Sequence, residues 1–208
     1  AFEQARLYLD NLHKQDPSTY EMYLNTLLEL EAYEDAEKLV KSRLKKRNDK
    51  TMAQIDLGDL YLRIGKKAEA DEAFQSALDA LPQGRGPAKR LADAFIKLDQ
   101  LDLALATYEK ARRSDKTNYG YHFELANLQG LRGDYEGMVD SFMALLHDRP
   151  NYLRTVQNSF NRNLRVSTDV RQSDMVRRKV LKASQEHPED TVFLELLVWV
   201  FNQQRDFL

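Results

Sequence analysis

A repeat of 34 residues is the feature of this chain that most restricts its fold. Small, aromatic and aliphatic residues return in the same order at that step along the sequence. The series Leu57, Gly58, Tyr61, Ala70, Phe74 and Ala77 is followed by Leu91, Ala92, Phe95, Ala104, Tyr108 and Ala111. The same step leads forward to Leu125, Ala126, Gly133, Phe142 and Pro150, and backward to Leu24, Leu27, Ala36 and Val40. A fixed period of about 20–50 residues is typical of arrays in which each repeat packs against its neighbours.

Gly58 lies inside a segment that otherwise favours a helix. A glycine in a helix interior costs about 0.5–1 kcal/mol relative to alanine. The loss is offset if two antiparallel helices approach closely there, with Ala70 as the small partner on the second helix. Aromatic residues such as Phe74 then fill the space between repeats, and one buried aromatic side chain contributes about 1.5–3 kcal/mol. The pattern therefore predicts close helix pairs.

The pattern resembles that of the tetratricopeptide repeat family. The resemblance extends over nearly the whole chain, and only Gln54, at the tryptophan-type position, departs from it in the best-matching repeat. The matching residues are Leu57, Gly58, Tyr61, Ala70, Phe74, Ala77 and Pro82. The resemblance implies an all-α, right-handed superhelical solenoid of antiparallel helix pairs, with about five repeats plus terminal half repeats. It also implies a concave groove that binds a partner peptide or helix.

The predicted organisation is a single array over residues 1–208. We expect helix pairs at about 18–47, 51–80, 85–113, 119–147 and 151–186, with half repeats at 1–15 and 190–208. The segment Val166–Ser173 lengthens the turn inside the last pair, either as a solvent-exposed loop or as a loop that shapes a binding surface.

The last predicted helix is apolar nearly all round. The run Phe193–Phe201 is interrupted only by Glu195, and a helix of this kind is normally covered on more than one side. We expect either self-association through residues 190–208 or a further helix that covers them in a longer protein. The half repeat at the start favours a chain cut within a repeat array.

The composition excludes several classes of function. Apolar residues make up 42% and charged residues 31% of the chain, as in a foldable, water-exposed protein, and the net charge of −2 makes nucleic acid an improbable partner. No cysteine is present, and the four histidines are scattered without a metal-binding spacing. We therefore predict no enzyme activity, no cofactor, no metal, no small-molecule substrate and no membrane span. The cytoplasm is favoured, and a bacterial periplasm stays open if an upstream signal was removed.

The repeat period also identifies candidate groove residues, which we call the ladder. Every member is Asn or Asp at the same place in the first helix of a repeat: Asn25, Asp59, Asp93, Asn127 and Asn161. An amide both donates and accepts hydrogen bonds, so it can satisfy a peptide backbone whatever its sequence. Bonds between adjacent helices are the alternative role. The acidic members disfavour the carboxylate clamp with which some repeats of this family bind chaperone C-termini.

Basic residues are concentrated between Arg154 and Lys182, opposed only by Asp169 and Asp174. The arginines that form the candidate patch for an acidic partner are Arg154, Arg162, Arg165, Arg177 and Arg178. Ordinary helix solubility is the alternative explanation. The sequence as a whole predicts a protein–protein interaction scaffold or adaptor. A regulatory or substrate-presenting module of a larger enzyme or bacterial envelope assembly is the second hypothesis.

Overall fold

A computed structural model describes residues 2–45, 50–114, 120–164 and 168–205. The chain divides into two compact units, Ala1–Thr107 and Tyr108–Leu208, which we call the N-terminal and C-terminal units. Within the described ranges every regular element is helical, so the predicted all-α array of helix pairs is confirmed. The single array over residues 1–208 stays a prediction.

The N-terminal unit consists of helices joined by short turns. Their bounds are α1 Phe2–Gln15, α2 Tyr20–Glu29, α3 Tyr33–Leu44, α4 Lys50–Arg63, α5 Lys67–Asp79, α6 Arg85–Lys97 and α7 Leu101–Ser114, the last of which continues into the next unit. A 3-10 turn, Pro17–Thr19, precedes α2, where Asp16 accepts a hydrogen bond from the Ser18 N–H. Consecutive helices pack along their lengths, as in α4 against α5 and α3 against α4.

The C-terminal unit continues the series with one irregular repeat. Its helices are α8 His122–Leu131, α9 Tyr135–Asp148, α10 Leu153–Asn163, α11 Val170–Glu186 and α12 Thr191–Arg205. Helix α11 begins at Val170, inside the predicted turn Val166–Ser173, because Asp169 caps it by accepting hydrogen bonds from the N–H groups of Arg171 and Gln172. Part of the long turn, residues 165–167, lies outside the described residues.

The turns inside the repeats carry the 34-residue period in their backbone. Four residues at that spacing have the positive φ of a left-handed backbone, with values of 54° at Glu31, 77° at Gly65, 57° at Asp99 and 75° at Gly133. In each turn the next N–H donates to a carbonyl five residues earlier, as from Lys66 to Tyr61 at 2.8 Å. This is the bond that closes a helix C-terminus around a left-handed residue. The sequence singles out the two glycines, but not Glu31 and Asp99.

Gly58 is confined by an aromatic ring rather than by the small residue expected opposite it. A Cβ atom added to Gly58 would lie less than 3.0 Å from three ring atoms of Phe74. The Phe74 ring in turn meets Phe95 edge-on, with ring centroids 5.7 Å apart. Ala70 is fully buried, but the close approach that requires glycine is between α4 and the Phe74 side chain of α5.

In α10 the usual order of a large and a small residue is reversed. Leu57–Gly58, Leu91–Ala92 and Leu125–Ala126 place the large residue first, whereas α10 has Ser159 followed by Phe160. Both side chains are buried, and Phe160 meets Phe142 of α9 edge-on with centroids 5.8 Å apart. The core of the unit is therefore completed by a ring at the place where other repeats have almost no side chain.

Helix α12 is only partly covered. Val192, Phe193, Leu196 and Val200 are buried in the core of the C-terminal unit, and Trp199 packs at its margin. On another face of α12, Leu194, Val198 and Phe201 are 53%, 60% and 43% exposed. We call these three residues the α12 stripe. Residues 206–208, which belong to the predicted self-association segment, lie outside the described residues. None of the described helices combines the length and apolar character that a bilayer crossing requires.

Candidate functional site

A groove in the N-terminal unit collects ladder residues from three successive repeats. Asn25 of α2, Asp59 of α4 and Asp93 of α6 line one cavity of about 510 Å³. The repeat places them together because each occupies the same position on the first helix of its pair. The remaining lining residues, with which they form what we call the groove, are Glu21, Leu24, Arg43, Met52, Ile55, Asp56, Arg90, Ala94, Lys97 and Leu98.

The acidic ladder members are already engaged by basic residues of their own helices. The Arg63 Nε lies 3.2 Å from an Asp59 carboxylate oxygen, and the Lys89 Nζ lies 2.6 Å from one of Asp93. Asn25 is exposed, and no side-chain hydrogen bond of Asn25 is found in the described part of the chain. The groove therefore offers one uncommitted amide and two carboxylates whose charge is partly balanced.

A partly buried polar network supports the wall of the groove. The Tyr20 hydroxyl donates to Asp56 at 2.8 Å, and the Arg43 guanidinium donates to the same carboxylate at 3.1 Å while lying 4.1 Å above the Tyr20 ring. Burial, followed by the nearby Asp56 charge, raises the pKa of Tyr20 well above its ordinary range. The network joins α2, α3 and α4, so it fixes the spacing of the first two ladder positions.

The other two ladder residues lie in the C-terminal unit and differ from each other. Asn127 of α8 is half-buried, and its amide donates to the Phe123 carbonyl of the same helix at 2.9 Å. Asn161 of α10 is exposed. Asn127 thus uses a donor within its own helix, whereas the alternative role for the ladder was a bond between adjacent helices.

Comparison with known proteins supports the repeat assignment. Residues 24–85 match the family model described as tetratricopeptide repeat, or TPR. Residues 24–85 are therefore assigned as tetratricopeptide repeats. TPR arrays are protein-interaction modules, so proteins or peptides are the class of partner for this chain. They are typically not catalytic.

One solved structure of a TPR protein is similar in extent but not in detailed shape. The crystal structure of YrrB, described as a TPR protein with an unusual peptide-binding site, is 20% identical in sequence, with 94% of this chain and 96% of that chain covered and a TM-score of 0.37. No match was found among curated proteins.

The predicted basic patch is divided between two helices of the TPR chain. Arg154 and Arg162 are exposed on α10, and Arg178 is exposed on α11. Arg177 is half-buried and pairs with Asp174 at 2.9 Å. Arg165 lies outside the described residues. The patch stays a prediction, and one of its five arginines already has an acidic partner on its own helix.

The structure also corrects the view that the histidines are scattered. The rings of His147 and His187 stack with centroids 3.9 Å apart, and the His147 Nδ1 lies 2.7 Å from an Asp190 carboxylate oxygen. This hydrogen bond raises the pKa of His147. A signal was present in the sequence, since both histidines end the second helix of a repeat shortly before a proline, at Pro150 and Pro188.

Proposed function

We propose that this TPR chain is an interaction scaffold that binds an extended partner segment in the groove of the N-terminal unit. The observation that supports the proposal is the presence of Asn25, Asp59 and Asp93 in one cavity. An extended peptide presents backbone N–H and C=O groups at regular intervals, and a row of amide and carboxylate side chains can meet them. The proposal assigns no reaction to the chain.

The chemistry of the groove indicates how such a segment would be held. Leu24 and Ile55 are buried at its base and supply apolar contact. Carboxylates only accept hydrogen bonds, so Asp59 and Asp93 would receive backbone N–H groups, whereas Asn25 can also donate to a carbonyl. Arg90 and Lys97 also line the groove, and their positive charge offsets the negative charge of the acidic side chains. The groove therefore does not select strongly for the net charge of the partner segment.

A peptide selection tests the proposal without a known partner. A random peptide library displayed on phage is selected on the immobilised full chain, and binding of the enriched peptides is measured by fluorescence anisotropy. The double variant Asn25→Ala, Asp93→Ala removes two polar contacts, each worth about 1 kcal/mol, so affinity should fall about tenfold or more. Circular dichroism of the variant should match that of the parent.

The matched control is Gln75→Ala, which removes an exposed amide of α5 that is not part of the ladder and does not line the groove. Its affinity for the same peptides should stay within twofold of the parent, a change of about 0.4 kcal/mol. Failure to enrich any peptide, or equal losses in the double variant and the control, would contradict a groove at α2, α4 and α6.

We also propose that two copies of the chain associate through the α12 stripe. Leu194, Val198 and Phe201 follow one another at four and three residues, which places them on one face of the helix. Such a face is self-complementary when two copies pair about a two-fold axis.

Sedimentation velocity over a range of concentrations should show a dimer for the parent and a monomer for Val198→Lys. Leu131→Lys, which changes an exposed leucine of α8, is the control and should still dimerise. A parent that stays monomeric throughout would refute the pairing.

A further inference from the structure

Three segments that are distant in sequence converge at one end of the C-terminal unit. His147 lies in the last turn of α9, His187 directly follows α11, and Asp190 directly precedes α12. One potential ligand atom from each residue lies within 4.8 Å of the other two. These residues, which we call the histidine cluster, are exposed or half-buried, so an ion from solvent can reach them.

The backbone holds two of the three residues at a fixed spacing. The segment from His187 to Asp190 forms a tight turn in which the Asp190 N–H donates to the His187 carbonyl at 3.1 Å. Pro188 restricts the backbone inside this turn. The Phe193 N–H donates to the Asp190 carbonyl at 3.2 Å, and Phe193 itself is fully buried, which anchors the turn to the core. Little ordering of the chain is therefore needed to present His187 and Asp190 together.

The surroundings of the cluster favour a cation. Asp148 and Glu189 adjoin it in sequence, and the negative charge of both acts on the His147 imidazole. The neighbouring lysines are occupied, with the Lys179 Nζ 2.7 Å from Asp140 and the Lys182 Nζ 3.6 Å from Glu186. The cluster thus combines two imidazoles and a carboxylate in a region where acidic groups outnumber uncommitted basic ones.

We propose that His147, His187 and Asp190 form a binding site for a divalent transition-metal ion such as Zn²⁺. Two histidines and one carboxylate are a ligand set that zinc uses in proteins when a fourth position is left to water or another ligand. Imidazole favours zinc, copper, nickel and iron over calcium and magnesium, which prefer oxygen ligands. The site is independent of the groove, since no ladder residue takes part, and it replaces the sequence-based expectation that the chain binds no metal.

Metal binding requires a local rearrangement, because the stacked rings of His147 and His187 must turn until one nitrogen of each points at the ion. Zinc bonds of about 2.0–2.1 Å in a tetrahedron place neighbouring ligand atoms about 3.3–3.4 Å apart. The His147 Nδ1 and the Asp190 oxygen are 2.7 Å apart, so their hydrogen bond would open as the ion enters. A cavity of about 510 Å³, lined by His147 and His187 among others, leaves room for a ligand at the fourth position.

Isothermal titration calorimetry with Zn²⁺ tests the proposal. The full chain is stripped of metal with EDTA and desalted, and the titration is done at about pH 7.5, where free histidine is mostly neutral. We expect one ion per chain. His147→Ala, His187→Ala and Asp190→Ala should each weaken binding about tenfold or more, because each removes one of the three side chains that would hold the ion. His13→Ala, which removes a histidine of the N-terminal unit, should bind like the parent.

A second measurement guards against variants that fail to fold. The unmodified chain is titrated with Co²⁺, and the visible absorption of a site with four or five nitrogen and oxygen ligands should appear and saturate at one ion. Zn²⁺ should then displace it. Absence of Zn²⁺ binding, binding that His147→Ala and His187→Ala leave unchanged, or an octahedral Co²⁺ spectrum equal to that of the free ion would overturn the proposal. The cluster would then be only a hydrogen-bonded junction between helices.

Discussion

At the scale of single residues, the fold depends on a few positions where the neighbouring atoms restrict which residue types can fit. Gly58 is buried and faces the ring of Phe74, which is itself 1% exposed and held by Phe95. Gly86, near the start of α6, has open space where a side chain would lie. The same residue type is therefore required by packing at the first position and not at the second.

Gly58→Ala should destabilise the chain although alanine is the better helix former. The propensity gain is about 1 kcal/mol, whereas forcing a methyl group against a ring that cannot move costs about 1–3 kcal/mol. Gly86→Ala, the control, should leave stability unchanged or raise it by up to about 1 kcal/mol. Urea unfolding followed by circular dichroism measures both. Equal stability of Gly58→Ala and the parent would contradict the close approach of α4 and Phe74.

His122 gives a prediction for pH dependence. Burial lowers the pKa of His122 below its ordinary value, against the opposing charge of Asp148, whose oxygen lies 3.4 Å away. The folded chain therefore binds this proton less readily than the unfolded chain, and stability should fall as the pH drops through about 6.5. With EDTA present, His122→Gln should lose less of its thermal stability between about pH 7.5 and 5.5 than the parent does. Parallel pH profiles would refute this role of His122.

At the scale of helices, the start of α11 shows how one side chain sets the boundary of an element. Asp169 has an extended backbone and accepts hydrogen bonds from the Arg171 N–H at 2.9 Å and the Gln172 N–H at 3.2 Å. These are N–H groups of the first turn that have no acceptor within the helix. The cap therefore lengthens α11 beyond the segment that the apolar pattern predicts.

Asp169→Ala should lower the free energy of unfolding by about 1 kcal/mol, the typical loss for an N-cap aspartate. The control is Asp174→Ala on the same helix, because Asp174 makes only a solvent-exposed pair with Arg177 and should contribute less than about 1 kcal/mol. Asp169→Ser should restore most of the loss. A cap variant no less stable than the Asp174 control would show that α11 starts elsewhere.

The helix pairs were predictable because small and large residues recur at the same positions of each 34-residue repeat. The positions of Leu57, Gly58 and Phe74 predict two close helices without any knowledge of long-range contacts. The left-handed turns at Glu31 and Asp99 were not predictable in the same way, since neither residue type demands a positive φ. The ladder could be placed on common helix positions, but its partners, such as Arg63 for Asp59, depend on side-chain conformation. The contact of His147 with His187 depends on packing across 40 positions.

At the scale of the whole molecule, each unit has a core of its own. Leu27 is fully buried in the core of the N-terminal unit, and Leu146 is fully buried in that of the C-terminal unit. Trp199, the only tryptophan of the chain, packs against the second core and meets the Phe160 ring at a centroid distance of 6.3 Å. Tryptophan fluorescence therefore reports on the C-terminal unit.

A matched pair of core substitutions should separate the two units. Leu146→Ala and Leu27→Ala each create a cavity worth about 2–5 kcal/mol, but only the former lies in the core that Trp199 contacts. The urea midpoint of Trp199 fluorescence should shift more in Leu146→Ala than in Leu27→Ala, while circular dichroism should detect both. Equal fluorescence shifts would mean that the two cores unfold as one cooperative structure.

The reversed order of Ser159 and Phe160 has a consequence for how such repeats diverge. A change from a leucine–alanine pair to a serine–phenylalanine pair requires two substitutions, and either one alone gives a poor intermediate. Leucine with phenylalanine overfills the site, and serine with alanine leaves a void, at a loss of about 1–3 kcal/mol or more in each case. Descendants of one ancestral repeat should therefore carry a large residue followed by a small one, or the reverse. Two large or two small residues should be rare at these positions. The two positions constrain each other's mutational history, although neither belongs to the ladder.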